Sequence, residues 1–315
     1  MLVIVLLILL GLLLVFFGAE ALVRGSASLA MRLGVSPLLI GLTIVAYGTS
    51  FPELIVSVRA TLIGIGDISI GNIIGSNIFN IALILGLAAL IRPLKVKIQL
   101  IKTDAPLMIV TALLLVAFFF DRFLSRIEGL IFISGIIIYT LVIILIARSE
   151  RNQTRPATHL EEGLPHTLKN IWLDLFFIAA GFVLLFFGAN VFIDNSVRLA
   201  RILHVSEAII GLTIIAAGTS IPELATSVIA ARRNQADIAL ANVIGSNIFN
   251  ILGILGISAL INPIQGVNIQ NLDLWWMVTT TIALMFMLWS GYFLRRWEGL
   301  VLLVSYFVYL ILLWP

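Results

Sequence analysis

Residues 46–53 read Ala46-Tyr47-Gly48-Thr49-Ser50-Phe51-Pro52-Glu53, and residues 216–223 read Ala216-Ala217-Gly218-Thr219-Ser220-Ile221-Pro222-Glu223. Each stretch sits inside an apolar run long enough to cross a bilayer. A charged side chain at that depth costs about 2.5–3.5 kcal/mol on insertion scales. A chain that carries this cost twice, in the same setting, is expected to use both carboxylates together, as ligands on a cation pathway.

The two stretches belong to a longer repetition. Residues 1–145 align with 171–315 at a constant offset of 170 without insertion, as in Gly41/Gly211, Pro52/Pro222, Asp67/Asp237, Gly75/Gly245 and Pro93/Pro263. The expected organisation is a first repeat over 1–147, a polar linker over 148–170 and a second repeat over 171–315. The most similar blocks lie at about 37–93 and 207–263.

Of the 315 residues, 61% are hydrophobic and 11% charged, against about 25% charged in a soluble domain. The mean hydropathy is +1.16. The chain therefore reads as an all-α polytopic membrane protein. Taking about 20 residues per crossing, the spans are 1–22, 37–60, 68–91, 104–121 and 127–147, then 172–193, 206–231, 238–261, 273–291 and 297–314. The first span lacks a basic leader and a cleavage site, and its counterpart is internal, so it reads as a retained helix.

Five spans per repeat is odd, so the second repeat is expected to enter from the opposite side. Loops after spans 1, 3, 5, 7 and 9 hold 14 Lys and Arg, against 5 in the others. That bias places the linker in the cytoplasm and both termini outside. Inverted repeats with interrupted helices suit secondary transporters, whose ion sites lie near the midplane.

Proline cannot donate to the carbonyl four residues back, so Pro52 and Pro222 free the carbonyls of Gly48 and Gly218, where glycine tolerates unwinding. Thr49 and Glu53, at i and i+4, are expected to face the same way. A second polar segment, Asn72-Ile73-Ile74-Gly75-Ser76-Asn77-Ile78-Phe79-Asn80, recurs at Asn242–Asn250. Asn72, Ser76 and Asn80 form a stripe on one helix face, and Gly75 and Gly245 would admit a close neighbour. Asn77 and Asn247 lie off the stripe, in a packing or capping role.

Asp67 and Asp237 are read as helix caps, with a cation-attracting vestibule as the alternative. Glu20, matched by Asn190, is read as interfacial. Asp104, Asp121, Asp174, Asp273 and the Arg–Glu pairs near 126–128 and 296–298 are read as interface anchors. His159, His166 and His204 lie in loops without ligand spacing.

Carboxylate, hydroxyl, amide and carbonyl oxygens suit hard cations. With no cysteine there is neither a disulfide nor a thiolate site. Two carboxylates neutralise one Ca²⁺ or two Na⁺, so the two ions compete naturally. A net charge of +3 gives no reason to expect a nucleic-acid partner. No cofactor and no obligatory protein partner is expected beyond the ions and membrane lipids.

These four blocks resemble the paired motifs of the sodium/calcium exchanger branch of the Ca²⁺/cation antiporter superfamily, most closely its compact prokaryotic members. The resemblance implies ten helices, with spans 2, 3, 7 and 8 around the ions and spans 1 and 6 sliding across them. It implies that Glu53 and Glu223 bind both ions, that Thr49, Ser50, Ser76, Thr219, Ser220 and Ser246 complete Na⁺ sites, and that the carbonyls of Ala46 and Ala216 serve further Na⁺ positions. Asn80 and Asn250 would line the centre. Exchange in the family is electrogenic, commonly three Na⁺ for one Ca²⁺, across the plasma membrane.

Potassium-dependent members carry Asp at the position of Asn250, which argues against a K⁺ site here. Ala241 stands where the family usually has the glycine seen at Gly71. Proton-coupled members carry Glu in the second segment, which leaves H⁺/Ca²⁺ exchange as the runner-up. A cation channel with a Glu-lined filter is a third reading. An intramembrane hydrolase would need a base beside Ser50 or Ser76, and no membrane His or Lys accompanies them, so the chain reads as a transporter and not an enzyme.

Overall fold

The computed structural model describes residues 1–153, 168, 170–202 and 216–313. The histidines at 159, 166 and 204, most of the 148–170 linker and the start of the expected 206–231 span lie outside the described residues.

The described chain is almost wholly helical: α1 (Leu2–Leu33), α2 (Pro37–Thr49), α3 (Phe51–Leu62), α4 (Gly66–Ile91), α5 (Leu100–Phe118), α6 (Arg126–Gln153), α7 (Ile171–Ile202), α8 (Ile221–Arg232), α9 (Ala236–Ile261), α10 (Asn271–Trp289) and α11 (Arg296–Leu313). Among the described residues eight helices are long and apolar enough to cross a membrane. The α2–α3 pair, bent by 45°, makes a ninth if it is one span. A short helical segment, Ala216–Gly218, precedes α8.

Helices α1 and α7 run to 32 residues each, about 48 Å, well past the expected ends at 22 and 193. Arg24 and Arg32, assigned to a loop by hydropathy, lie on that extension. Helix α6 likewise continues beyond residue 147 to Gln153.

Burial separates the helices into an inner and an outer set. The apolar stretches of α4 and α9 are 78% buried, whereas those of α1 and α6 are 22% buried. The asparagine and serine segments at 72–80 and 242–250 are thus held on the two candidate spans with the least outward surface among the described residues. Exposed Leu, Ile, Val and Phe side chains cover the outer faces of α1, α6, α7 and α11.

Glycines join α1 to α7. A Cβ on Gly11 would come within 2.7 Å of Phe192 N, on Gly18 within 2.8 Å of Leu185 N, and on Gly25 within 2.9 Å of the Asp174 carbonyl. Gly181 and Gly188 face back the same way, against Leu22 N and Val15 N at 2.8 Å. As the number rises on α1 it falls on α7, so these two counterparts run antiparallel. At the end of α1, Ser28 donates to Asp174 at 2.6 Å and Arg32 pairs with it. Asp174 is thus a buried tie between helices and not an interface anchor.

The two halves also exchange loops. Strand β1 (Leu94–Lys95) pairs antiparallel with β4 (Phe293–Leu294), and β2 (Phe123–Leu124) with β3 (Ile264–Gln265). Asp67 accepts from Asn268 N at 2.9 Å and Asn268 Nδ2 at 2.8 Å, while Asp237 pairs with Lys97 at 2.7 Å. Neither aspartate caps its own helix, where Ile65 and Gln235 hold the N-cap without a side-chain bond. The loop from the other half supplies better donors than the helix end does.

Other acidic residues also find local partners. Tyr139 donates to the buried Asp104 at 3.0 Å and Tyr309 to Asp273 at 2.9 Å. Glu128 accepts from Ser125 N at 2.7 Å and Glu298 from Arg295 N at 2.6 Å, so both fold back on helix starts. Asp121 accepts from Phe123 N at 3.1 Å. Glu20 is engaged by Arg233 from the end of α8.

Candidate functional site

The chain breaks at Ser50 and Ser220, whose ψ angles are 9° and 10°. Pro52 and Pro222 sit in the first turns of the helices that follow, together with Glu53 and Glu223. A helix N-terminus carries a partial positive charge that favours a nearby carboxylate. Both glutamates are 0% exposed.

The bend redirects the hydroxyls. Instead of the Thr49–Glu53 pairing that the spacing suggests, each carboxylate takes a hydroxyl from the other half. Ser50 Oγ donates to Glu223 Oε1 at 2.8 Å, and Ser220 Oγ donates to Glu53 Oε1 at 2.8 Å. Ser220 also lies 3.1 Å from Ser76 Oγ, and Ser246 Oγ donates to the Ala46 carbonyl at 3.3 Å. Thr49 Oγ1 meets Asn242 Oδ1 at 3.0 Å, and Thr219 Oγ1 meets Asn72 Oδ1 at 3.4 Å. Ala216 opens the short segment before α8, with its side chain outside the description.

Asparagines cross-link the middle of α4 and α9. Asn80 Nδ2 donates to Asn247 Oδ1 at 3.0 Å, and Asn250 Nδ2 to Asn77 Oδ1 at 2.9 Å. Asn77 and Asn247 each donate to the other's backbone carbonyl at 3.3 Å. They pack the two halves together and cap neither helix. Asn80 and Asn250 lie in wider π-helical turns, Phe79–Leu85 and Asn250–Leu255. Such turns frequently accompany functional sites, and the hydropathy pattern gave no sign of them.

Among the buried side-chain oxygens that lack a hydrogen-bond partner in the described residues, four converge on the polar motifs: Glu53 Oε2, Glu223 Oε2, Asn80 Oδ1 and Asn250 Oδ1. They form two matched pairs, one member from each half. Buried acceptors are normally satisfied, and each exception asks for a partner. Two carboxylates and two amide oxygens suit a hard cation. No group of three or more His, Cys, Asp or Glu forms among the described residues, so the remaining donors are neutral oxygens.

The motif glycines serve close packing more than unwinding. A Cβ on Gly48 would fall 2.1 Å from the Phe182 ring, and one on Gly218 2.6 Å from Ile193, both on α7. Gly245 admits Ala46 and the Leu42 carbonyl at 2.8 Å, as expected. Gly75 has no such neighbour within 4 Å. The residues equivalent to Leu42 and to the Ala46 side chain fall at 212 and 216, outside the description.

Apolar cavities flank the α1–α7 pair at equivalent places. One of about 340 Å³ lies between Gly48, Phe51, Phe182 and Leu185. Another of about 790 Å³ lies between Gly218, Ile221, Leu12 and Val15.

Comparison with known proteins identifies the family and the fold. The sequence model of the family described as "Sodium/calcium exchanger protein" matches residues 3–145 and 173–314. The chain is 38% identical to the putative antiporter CaxA of Alkalimonas amylolytica, over 99% of each protein. It is 34% identical to the sodium/calcium exchanger MaX1 of Methanosarcina acetivorans, over 98% of this chain and 97% of that one. A solved structure of the sodium-calcium exchanger NCX_Mj, soaked with Na⁺ and Ca²⁺, superimposes with a TM-score of 0.84 at 32% identity, covering 99% of both chains. With matches over both halves and a shared three-dimensional arrangement, the chain belongs to the sodium/calcium exchanger protein family of multi-pass membrane antiporters.

Proposed function

We propose that this protein exchanges Na⁺ for Ca²⁺ across the plasma membrane by alternating access, with net movement of charge. The observation that carries the reading is the set of four unpartnered oxygens on Glu53, Glu223, Asn80 and Asn250. Glu53 and Glu223 bind either ion. One Ca²⁺ balances both carboxylates, and Na⁺ entering beside Thr49, Ser50, Ser76, Thr219, Ser220, Ser246 and the carbonyls of Ala46 and Ala216 displaces it. The relatives named sodium/calcium exchangers support Na⁺ as the coupling ion, with three Na⁺ per Ca²⁺ as the family commonly has.

Ten spans in two inverted repeats, 1–147 and 171–315, form the transport unit. The antiparallel course of α1 and α7 supports the inversion. The Lys and Arg bias supports a cytoplasmic 148–170 linker with both termini outside. Helices α1 and α7 move together over the four-helix core, into and out of the flanking cavities. Neither a cofactor nor a protein partner enters the cycle.

The test is radioactive Ca²⁺ uptake into proteoliposomes under separate Na⁺, K⁺ and H⁺ gradients. Uptake driven by internal Na⁺, and abolished in Glu53→Gln and Glu223→Gln, is the expected result. Uptake that follows a pH gradient without Na⁺ means H⁺/Ca²⁺ exchange. Flux without any counter-ion means a channel.

A further inference from the structure

Two asparagines outside the proposed ligand set have the same surroundings in both halves. Asn72 Nδ2 donates to the Glu53 carbonyl at 3.3 Å and to Ser57 Oγ at 3.0 Å. Asn242 Nδ2 donates to the Glu223 carbonyl at 3.3 Å and to Ser227 Oγ at 3.0 Å. Both amide protons are thereby committed to the helix that bears the carboxylate. A reversed amide would set two oxygens against each other at the glutamate carbonyl. Only Oδ1 is left to face the threonine of the other half, Thr219 for Asn72 and Thr49 for Asn242.

A threonine hydroxyl has one proton and two lone pairs. Thr49 lies 3.0 Å from Asn242 Oδ1 and also sits beside the Glu223 carboxylate. With the Ala46 carbonyl at 3.3 Å, three acceptors compete for one proton, and Asn242 Oδ1 is nearer than that carbonyl. When Asn242 takes it, the hydroxyl lone pairs and Glu223 Oε2 stay open to an ion.

We infer that Asn72 and Asn242 are positioning residues for cation binding: each draws off the hydroxyl proton of the threonine across the site, so that the threonine oxygen meets the ion as an acceptor. This rests on the reading of Thr49 and Thr219 as ligands. Without Asn242, the Thr49 proton goes to Glu223, where an entering cation must break a charge-assisted hydrogen bond, or to the Ala46 carbonyl, itself in the proposed ligand set. Na⁺ draws less from two carboxylates than Ca²⁺ does and depends more on neutral oxygens, so it is the more sensitive ion.

The experiment is a double-mutant cycle on Thr49→Val and Asn242→Leu, read as the Na⁺ and Ca²⁺ dependence of exchange by the full-length protein in liposomes. Asn242→Leu raises half-saturating Na⁺ about tenfold and the Ca²⁺ KM by less. In the Thr49→Val background it adds far less, because no hydroxyl is left to orient and only the Asn242 bonds to the Glu223 carbonyl and Ser227 remain to be lost. The cycle of Thr219→Val with Asn72→Leu stands in if Asn242→Leu fails to fold. Additive losses, equal losses for both ions, or an unchanged Na⁺ dependence in Asn242→Leu overturn the inference. An unchanged Na⁺ dependence in Thr49→Val overturns the ligand reading itself, whatever Asn242→Leu does.

Discussion

Ser50, in the first half of the chain, donates its hydroxyl to Glu223 in the second at 2.8 Å. Ser220 returns the same bond to Glu53. Each carboxylate therefore depends on a helix break in the opposite half, and neither half holds a complete site alone. Ser50→Ala leaves Glu223 Oε1 buried and unpartnered, a loss of about 1–3 kcal/mol. We expect both Ser50→Ala and Ser220→Ala to lower the melting temperature in ion-free buffer, Ser220→Ala by the larger amount because it also loses the Ser76 contact. Added Ca²⁺ should partly restore it, because a bound cation satisfies the stranded oxygen. An unchanged melting temperature in either variant would deny the reciprocity.

Asn250→Asp places a third carboxylate among Glu53, Glu223 and Asn80. In a buried site an added charge acts at low effective dielectric, so Ca²⁺ binds more tightly and leaves more slowly. The Ca²⁺ KM and kcat should fall together in flux assays. A lower KM with unchanged kcat would mean that ion release does not limit the cycle.

Glycine spacing along α1 and α7 makes a graded prediction. A Cβ on Gly18 would lie 2.8 Å from Leu185 N, where backbone cannot yield, so Gly18→Ala should cost about 1–3 kcal/mol. Gly135 on α6 meets only Leu252 carbons at 3.4 Å or more, and Gly135→Ala should be neutral. Thermal unfolding of the two variants in detergent distinguishes them. Equal melting temperatures would show that the close approach is not needed.

Glu20 and Arg233 tie α1 to the end of α8, and their counterparts in the other half are Asn190 and Ile63. A contact on one face only biases a two-state cycle built from equivalent halves. The pair is solvent-accessible and worth about 0–1 kcal/mol. Glu20→Gln should therefore shift the Ca²⁺ KM by less than about fivefold, in opposite directions on the two sides of the membrane. Shifts in the same direction on both sides would refute the bias.

Much of this arrangement is legible in the sequence. Proline after Gly-Thr-Ser announces a broken helix, and a buried glutamate beside it announces a site. The stripe of Asn72, Ser76 and Asn80 is visible because its spacing is local. What could not be read is which half each side chain serves. Thr49 and Glu53 look like neighbours at i and i+4, yet the 45° bend between α2 and α3 sends them to different partners. Asp67 and Asp237 failed as caps for a related reason, because a loop 201 residues away supplies Asn268 to Asp67. The asymmetric tie between Glu20 and Arg233 is likewise a long-range pairing that no repeat alignment can propose.

The close backbone approach of α1 and α7 constrains how the site can open. Gly11, Gly18 and Gly25 recur every seven residues and interlock with the opposing chain, so neither helix can slide along the other without driving Cα atoms into backbone. The two must travel as one plank laid across the core. In the proposed alternating-access cycle, a displacement of this antiparallel pair that uncovers the ions at one end covers them at the other. Simultaneous opening to both solutions, which would dissipate the gradient as a leak, is thus opposed by backbone sterics.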